Sequence, residues 1–299
     1  MLKVENVTKY YGDFLAVDNL SFTVKPGEIF GLLGVNGAGK TTTFRMIMGL
    51  LDKTKGKITL DDKKIDYDIT DKIGFLTEER SLLPGKTVLE QALLCGTLKG
   101  LNEKQIHESL DYYLKEFNIT EYKNKRIKEL SKGNQQKIKF IISILHNPRL
   151  LILDEPFSGL DPINVEMFKK VIIDLKKKKT IIIFSSHMME HVEYFCDSLI
   201  ILLRGKTVLK GKLTKIKEDY RKKNIKVIGD IDIDKIKELD GVENISKNKE
   251  EYTIKIESDE YINKVFKCIS KSNNITKFEV ESPSLNEIFV NIVGEQYEK

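Results

Sequence analysis

The chain has 299 residues, of which 40% are hydrophobic and 32% are charged, a length and balance that allow one large globular domain and a small one. The net charge of +5 is dispersed, so charge alone does not imply nucleic-acid binding. The three cysteines are too scattered for a disulfide framework or a zinc site, so we expect a protein of the reducing cytoplasm. The N-terminus lacks the apolar h-region of a signal peptide, and the longest apolar stretches fall far short of the about 18 residues that a membrane span needs.

The N-terminal segment reads as a β-hairpin. Residues 2–24 alternate between apolar and polar positions around Gly12 and Asp13, which predicts antiparallel strands joined by a turn. Tyr10 and Tyr11 directly precede this turn, where an aromatic ring could stack on a purine base. Packing on the strand is the commoner role for such a residue, and the pattern alone leaves both interpretations open.

A phosphate-binding loop follows. Residues 34–41, GVNGAGKT, match the pattern G-x-x-x-x-G-K-[ST], and they lie between a predicted buried strand at 28–33 and a predicted helix at 42–50. Glycines let several backbone N–H groups point at one phosphate, and the helix adds the positive end of its dipole. Lys40 offers a charge to the β- and γ-phosphates, and Thr41 offers a hydroxyl to Mg²⁺. The sequence therefore predicts binding of a nucleoside triphosphate.

The middle of the chain changes from helical to alternating character. Residues 80–148 predict a separable helical subdomain, with helices that open at 87–90 and extend over 102–117 and 135–146. From residue 150 onwards strands and helices alternate, which indicates a parallel sheet covered on both faces. The strands are predicted at 150–153, 180–184 and 198–203, and the helices at 165–175 and 188–195.

The C-terminal part differs from the rest of the chain in its composition and in the length of its predicted elements. Beyond about residue 217, short elements rich in Lys, Asp and Glu follow one another in the order β, α, β, β, α, β, α. The first six match the order of a ferredoxin-like fold. We therefore predict an α/β domain over 1–218 and a small α+β domain over 219–299, which carries no catalytic constellation.

Two carboxylates end the strand at 150–153. Asp154 and Glu155 are placed at the carboxyl edge, where ligands bind in open α/β sheets. Asp154 is predicted to hold Mg²⁺ directly or through water, and Glu155 to orient and deprotonate the attacking water. Behind a phosphate-binding loop, this pair predicts triphosphate hydrolysis.

Further motifs resemble those of the ATP-binding-cassette (ABC) ATPases. Residues 130–136, LSKGNQQ, resemble the family signature, and residues 154–162 look like its Walker B motif and D-loop. Residues 185–187, SSH, match the switch histidine, and Tyr11 fits the aromatic residue that stacks on adenine. The motifs follow the family order over residues 1–215. The resemblance implies a P-loop NTPase core with an antiparallel β-subdomain and a helical subdomain.

The resemblance also implies that two cassettes pair head to tail, so that the signature of one faces the phosphate-binding loop of the other across ATP. His187 would then contact the γ-phosphate and brace Glu155. The implied catalytic residues are Glu155, His187 and Lys40; the implied nucleotide-binding residues are Tyr11, Val17, Asn36, Gly37, Ala38, Gly39, Lys40, Thr41, Thr42, Ser131 and Gly133; and the implied Mg²⁺ ligands are Thr41, Glu78 and Asp154.

Two positions depart from the family pattern. Asn134 stands where the signature commonly has Gln or Met, and Glu78 stands where the Q-loop usually has Gln. A carboxylate can still ligate Mg²⁺ or bind water, but it adds negative charge near the γ-phosphate. A similar acidic variant occurs in exporter-type cassettes with an extra C-terminal domain, and we expect Glu78 to keep the metal and coupling role.

The favoured function is the ATP-hydrolysing subunit of an ABC exporter. It would act as a homodimer or with a second cassette, peripherally on the cytoplasmic face of the cell membrane, beside a separately encoded permease and without a nucleic-acid partner. A soluble ABC ATPase acting on ribosomes or nucleic acid is the alternative, disfavoured by the single set of motifs and the lack of a long heptad array. A cassette that has lost catalysis is disfavoured because every catalytic residue is present. The substrate and the role of the C-terminal domain stay open.

Overall fold

The computed structural model describes residues 1–65, 67–77, 81–220, 222–270 and 274–297. The chain forms two compact units, Met1–Lys210 and Gly211–Lys299. The division falls at residue 211 rather than at the predicted 219, because the helix Leu213–Asp219 lies within the second unit. The predicted α/β fold class is confirmed, with both a parallel and an antiparallel sheet in the first unit.

The first unit contains an antiparallel β-layer in the order β2-β1-β4-β5. The predicted hairpin is confirmed, since β1 pairs antiparallel with β2 and Tyr11 lies opposite Phe14 at its tip. Strands β4 and β5 have no counterpart in the sequence prediction. The four strands are Leu2–Tyr11 (β1), Phe14–Val24 (β2), Lys55–Leu60 (β4) and Lys63–Lys64 (β5).

The second layer of this unit is a six-stranded sheet in the order β10-β9-β3-β8-β7-β6. Strand β3 pairs parallel with β8 and β9, and β7 pairs parallel with β6 and β8. Every residue of β3, β7 and β8 is buried, as expected for central strands of a parallel sheet. The strands are Ile29–Gly34 (β3), Ile73–Leu76 (β6), Leu150–Asp154 (β7), Ile181–Ser185 (β8), Ser198–Leu203 (β9) and Lys206–Lys212 (β10).

Several helices of the first unit begin at residues whose side chains cap them. Thr87 and Asn102 each form a reciprocal capping box, with Glu90 and Gln105 respectively, and Asp161 caps a helix that starts with proline. The helices are Lys40–Ile47 (α1), Val88–Leu98 (α2), Glu103–Glu116 (α3), Lys132–Ile144 (α4), Pro162–Lys177 (α5) and Met189–Phe195 (α6), with 3₁₀ turns at Tyr67–Lys72, Thr120–Tyr122 and Ile127–Glu129.

An aromatic cluster joins the helical part to the central sheet. The rings of Phe140 and Phe168 stack with centroids 4.6 Å apart, and Phe117 packs edge-on against both. All three side chains are fully buried, so α4, α5 and the end of α3 share one core. Phe157 extends the cluster to the central sheet, because its ring packs against Phe168 and against Phe184 of β8.

The second unit is a four-stranded antiparallel sheet in the order β12-β13-β11-β14. Its order of elements confirms the predicted ferredoxin-like arrangement, and its core includes Ile225, Val227 and Ile254. A short helix, α7, precedes it. The elements are Leu213–Asp219 (α7), Lys223–Ile228 (β11), Ile233–Lys237 (α8), Val242–Asn248 (β12), Glu251–Ile256 (β13), a 3₁₀ turn at Asp259–Tyr261, Ile262–Ile269 (α9), Lys277–Glu281 (β14) and Leu285–Tyr297 (α10).

Within the described ranges, none of the helices combines the length and the apolar character needed to cross a lipid bilayer.

Candidate functional site

The phosphate-binding loop connects β3 to α1, and Lys40 is the first residue of the helix. The Lys40 ammonium donates to the carbonyl oxygens of Gly34, at 2.7 Å, and Val35, at 3.3 Å. The loop is also tied to the turn between β9 and β10, because the Gly205 N–H donates to the Ala38 carbonyl at 3.1 Å. The loop is therefore held both by its own lysine side chain and by a backbone hydrogen bond from the neighbouring turn.

Two glycines of the loop are required for different reasons. Gly34 has φ +151°, and a Cβ there would lie 2.4 Å from the Leu202 carbonyl oxygen. Gly37 has φ +78°, but a Cβ there would meet no atom within 4 Å. Gly34 is thus needed for close packing as well as for its backbone conformation, and Gly37 for its conformation.

Strand β7 brings the acidic groups to the same edge as the loop, since β8 lies between β7 and β3 and all three strands run parallel. Asp154 ends β7 and lies opposite Ser185, which ends β8. The buried Ser185 hydroxyl donates to Asp154 Oδ1 at 2.6 Å. This short bond to a buried carboxylate orients Asp154 and stabilises its charge.

Glu155 directly follows, in the left-handed conformation at φ +49°. Its N–H donates to the Ser185 carbonyl at 3.2 Å, which anchors the turn. His187 Nε2 lies 3.5 Å from Glu155 Oε1, and the histidine side chain is 55% exposed whereas that of Glu155 is 13% exposed. These two side chains therefore lie side by side, which is the placement that the bracing role predicted for His187 requires.

The loop, the two carboxylates and the histidine line one cavity of ≈ 270 Å³. Tyr11, at the tip of the β1–β2 hairpin, lies at the same cavity and is 46% exposed, so its ring is not buried in the strand packing. The lining residues are Tyr11, Phe14, Ala16, Asn36, Gly37, Ala38, Gly39, Lys40, Thr41, Thr42, Asp154, Glu155 and His187.

Three predicted nucleotide-binding residues do not line this cavity. Val17 is fully buried beneath the loop, because it belongs to the core on the inner face of β2. Its neighbours Phe14 and Ala16 take that side of the cavity, and the sequence analysis missed both. Phe14 could have been found from the register of a two-residue hairpin, which sets it opposite Tyr11.

Ser131 and Gly133 are the other two predicted nucleotide-binding residues that do not line the cavity. Ser131 caps α4, and its hydroxyl accepts from the Asn134 N–H at 3.3 Å. Behind it, the buried side chain of Gln136 donates to the Pro156 carbonyl at 3.0 Å. The signature segment is therefore tied to the segment that follows Glu155, although it stands outside the cavity of its own chain.

The site contains oxygen ligands suited to a divalent cation. Thr41 and Asp154 both line the cavity, and a hydroxyl with a carboxylate is a donor set that suits Mg²⁺ when phosphate oxygens and water complete the octahedron. The Ser185 hydroxyl, which donates to Asp154 Oδ1, orients this carboxylate at the cavity. Glu78, the third predicted ligand, lies outside the described residues.

Both units match known families. Residues 17–158 match the family described as "ABC transporter", and residues 211–293 match "ATP-binding protein DrrA1-3-like, C-terminal domain". Among relatives from Bacillus subtilis (strain 168), the uncharacterized ABC transporter ATP-binding protein YhaQ is 46% identical over 298 residues, covering 100% of both chains. The linearmycin resistance ATP-binding protein LnrL is 30% identical over 306 residues, covering 98% of each chain.

Solved structures agree with the first unit. An ATP-binding subunit of an ABC transporter has a TM-score of 0.70 and 30% identity, and the match covers 74% of this chain and 93% of that one. A dimeric bacterial ABC transporter cassette has a TM-score of 0.65 and 27% identity, covering 71% of this chain and 99% of that one. With a phosphate-binding loop, two carboxylates and a histidine lining one cavity, the chain belongs to the ATP-binding proteins of ABC transporters.

Proposed function

We propose that this protein hydrolyses ATP and thereby drives export through a separate membrane permease. The proposal rests chiefly on one observation: the phosphate-binding loop, Asp154, Glu155 and His187 line a single cavity. Phosphoryl transfer depends on positioning and charge neutralisation, and this cavity offers groups for both.

Each group has a distinct role at the triphosphate. The loop N–H groups and the α1 N-terminus bind phosphate oxygens, and Lys40 adds a positive charge. Glu155 takes the proton of the attacking water, and His187, which borders it at 3.5 Å, contacts the γ-phosphate. Mg²⁺, when bound, neutralises charge on the phosphates, and Thr41 and Asp154 are the residues that would hold it.

A second copy of the cassette completes the site. Ser131 and Gly133 do not line the cavity of their own chain, although a helix N-terminus such as that of α4 suits a phosphate. In a head-to-tail pair the α4 N-terminus of one copy would reach the nucleotide of the other. The likeness to a dimeric cassette supports this arrangement.

The export direction and the permease rest on the comparisons. LnrL, which is alike over nearly the whole length of both chains, is named a resistance protein, and removal of a compound from the cell is one route to resistance. The C-terminal unit matches a DrrA-like domain as well. We therefore place the protein on the cytoplasmic face of a membrane beside its permease.

Replacing Glu155 with glutamine tests the catalytic part of the proposal. The amide keeps the shape but accepts no proton, so phosphate release should fall by about 10²–10⁴-fold. Because the phosphate contacts survive, the variant should elute as a dimer with Mg-ATP in gel filtration coupled to light scattering. Glu190→Gln is the matched control, since Glu190 is exposed on α6 and does not line the cavity.

The control variant should hydrolyse ATP like the wild type. A Glu155→Gln protein that stays monomeric with ATP, or that releases phosphate at the wild-type rate, would contradict the mechanism. Affinity purification of the Glu155→Gln protein from membranes tests the transport role. Recovery of ribosomes instead of an integral membrane protein would favour the soluble alternative.

A further inference from the structure

A second aromatic side chain lies at the nucleotide cavity. Phe14 begins β2 directly opposite Tyr11, the last residue of β1, and both line the cavity. Residues paired in this way project from the same face of a hairpin. Tyr11 is 46% exposed and Phe14 66% exposed, so the two rings present an open aromatic surface beside the phosphate-binding loop.

A lysine side chain occupies one face of the Tyr11 ring. The Lys9 ammonium lies over it, 5.1 Å from the ring centroid, and donates to the Asp52 carbonyl at 2.7 Å. The lysine is thus held in place, and a base can stack only on the opposite face of Tyr11. Cross-strand Cβ atoms are about 5 Å apart, too close for a purine to lie between the two rings. The rings must therefore act side by side.

We propose that Phe14 contacts the nucleotide base together with Tyr11, and that the two rings form one stacking platform. This inference rests on the proposed function, because it takes the cavity to bind a nucleoside triphosphate. Ala16 completes the hairpin side of the cavity, and the Tyr11 hydroxyl is the one polar side-chain group that these three residues carry. The base is thus recognised by its face more than by its hydrogen-bonding edge.

Recognition by the face of a base sets an expected specificity. Stacking tolerates every base, since each has a π-face. The dissociation constants of two related ligands differ by about 10²-fold at most when the site distinguishes them by apolar contacts. They differ by about 10⁴-fold or more when the site distinguishes them by hydrogen bonds. We expect ATP and GTP to bind with dissociation constants within this smaller factor.

Calorimetric titration with ATP and with inorganic tripolyphosphate separates the base contact from the phosphate contacts. Removing a stacked ring weakens binding by about 5- to 150-fold, and the exposure of Phe14 places it near the lower end. Phe14→Ala should weaken ATP binding by that factor and leave tripolyphosphate binding unchanged. Phe14→Tyr, which keeps the ring, should bind ATP like the wild type.

Tyr10→Ala is the matched control. Tyr10 is 41% exposed and adjoins Tyr11, but it does not line the cavity. This variant should bind both ligands normally. The inference is overturned if Phe14→Ala binds ATP as tightly as the wild type, if it loses tripolyphosphate binding to the same extent, or if ATP is preferred over GTP by about 10⁴-fold.

Lys40→Ala separates failure of this inference from failure of the proposed function. Loss of both ligands in Lys40→Ala, with unchanged ATP binding in Phe14→Ala, would refute the base platform and leave the phosphate site standing. A wild-type protein that binds neither ligand would overturn both proposals.

Discussion

Separate replacement of Gly34 and Gly37 by alanine tests how the phosphate-binding loop is held. At Gly37 the added Cβ meets nothing within 4 Å, so its cost comes from the left-handed backbone at φ +78°. That conformation costs an L-residue about 1–2 kcal/mol. In a unit of this size 1 kcal/mol corresponds to a melting shift of about 2–4 °C, so Gly37→Ala should melt about 2–8 °C below the wild type.

Gly34→Ala should cost more because two effects add. Its φ of +151° is strained for any other residue, by about 1–3 kcal/mol. The new Cβ would also lie 2.4 Å from the Leu202 carbonyl oxygen and 2.8 Å from the Ala38 Cβ, which forces the backbone to move. Overpacking of this kind costs about 1–3 kcal/mol more. We expect a melting shift about two to three times that of Gly37→Ala.

Differential scanning calorimetry is the suitable assay, because it can resolve the transition of the first unit from that of the second. The chain has no tryptophan, so helical circular dichroism is the natural second probe. Gly85→Ala is the matched control, since a Cβ there meets no atom within 4 Å and its φ is not positive. It should leave the melting temperature unchanged or raise it slightly. Equal losses at Gly34 and Gly37 would refute the steric part of the reasoning.

Two further predictions concern a buried serine and a partly buried histidine. Ser185→Ala removes the 2.6 Å hydrogen bond to Asp154 and should lower the free energy of unfolding by about 1.5–3 kcal/mol. A double-mutant cycle with Asp154→Asn, measured by urea unfolding, tests this. A cycle that gives no coupling energy between the two residues would contradict it. Burial lowers the pKa of His146 to about 4 from 6.5. The unfolded chain therefore binds the proton more readily, so stability is complete above about pH 6.5 and falls as the pH drops towards 4. His146→Leu should lose this part of the pH dependence in acid titrations of unfolding, and an unchanged slope would argue against it.

Local patterns were enough to predict which strands lie at the centre of the sheet. The runs that became β3, β7 and β8 are apolar up to their last residue, and Asp154, at the end of β7, lines the cavity. Helix ends were harder. The helix after the loop was predicted at 42–50, but α1 spans Lys40–Ile47, because apolar periodicity marks the buried face of a helix and not its first turn.

Pairing between distant segments was beyond the sequence analysis. Strands β4 and β10 are rich in lysine, and β10 and the first half of β4 have no buried residue. Strand β4 is defined by its antiparallel register with β1, about fifty residues earlier. For the same reason, the sequence did not predict which hairpin residues line the cavity. Val17 was assigned to the nucleotide, whereas Phe14 and Ala16 line the cavity, and which of these faces inwards depends on the strand register.

The buried amide of Gln136 has a consequence for a pair of cassettes. It ties the start of α4 to the Pro156 carbonyl, so these segments cannot separate without breaking a buried hydrogen bond, at a cost of about 1–3 kcal/mol. In a head-to-tail pair, this hydrogen bond in each copy would connect that copy's own carboxylates to the α4 N-terminus that faces the neighbour's nucleotide. Because the two connections are related by twofold symmetry, binding of a nucleotide at either site would change the affinity of the other site by the same factor.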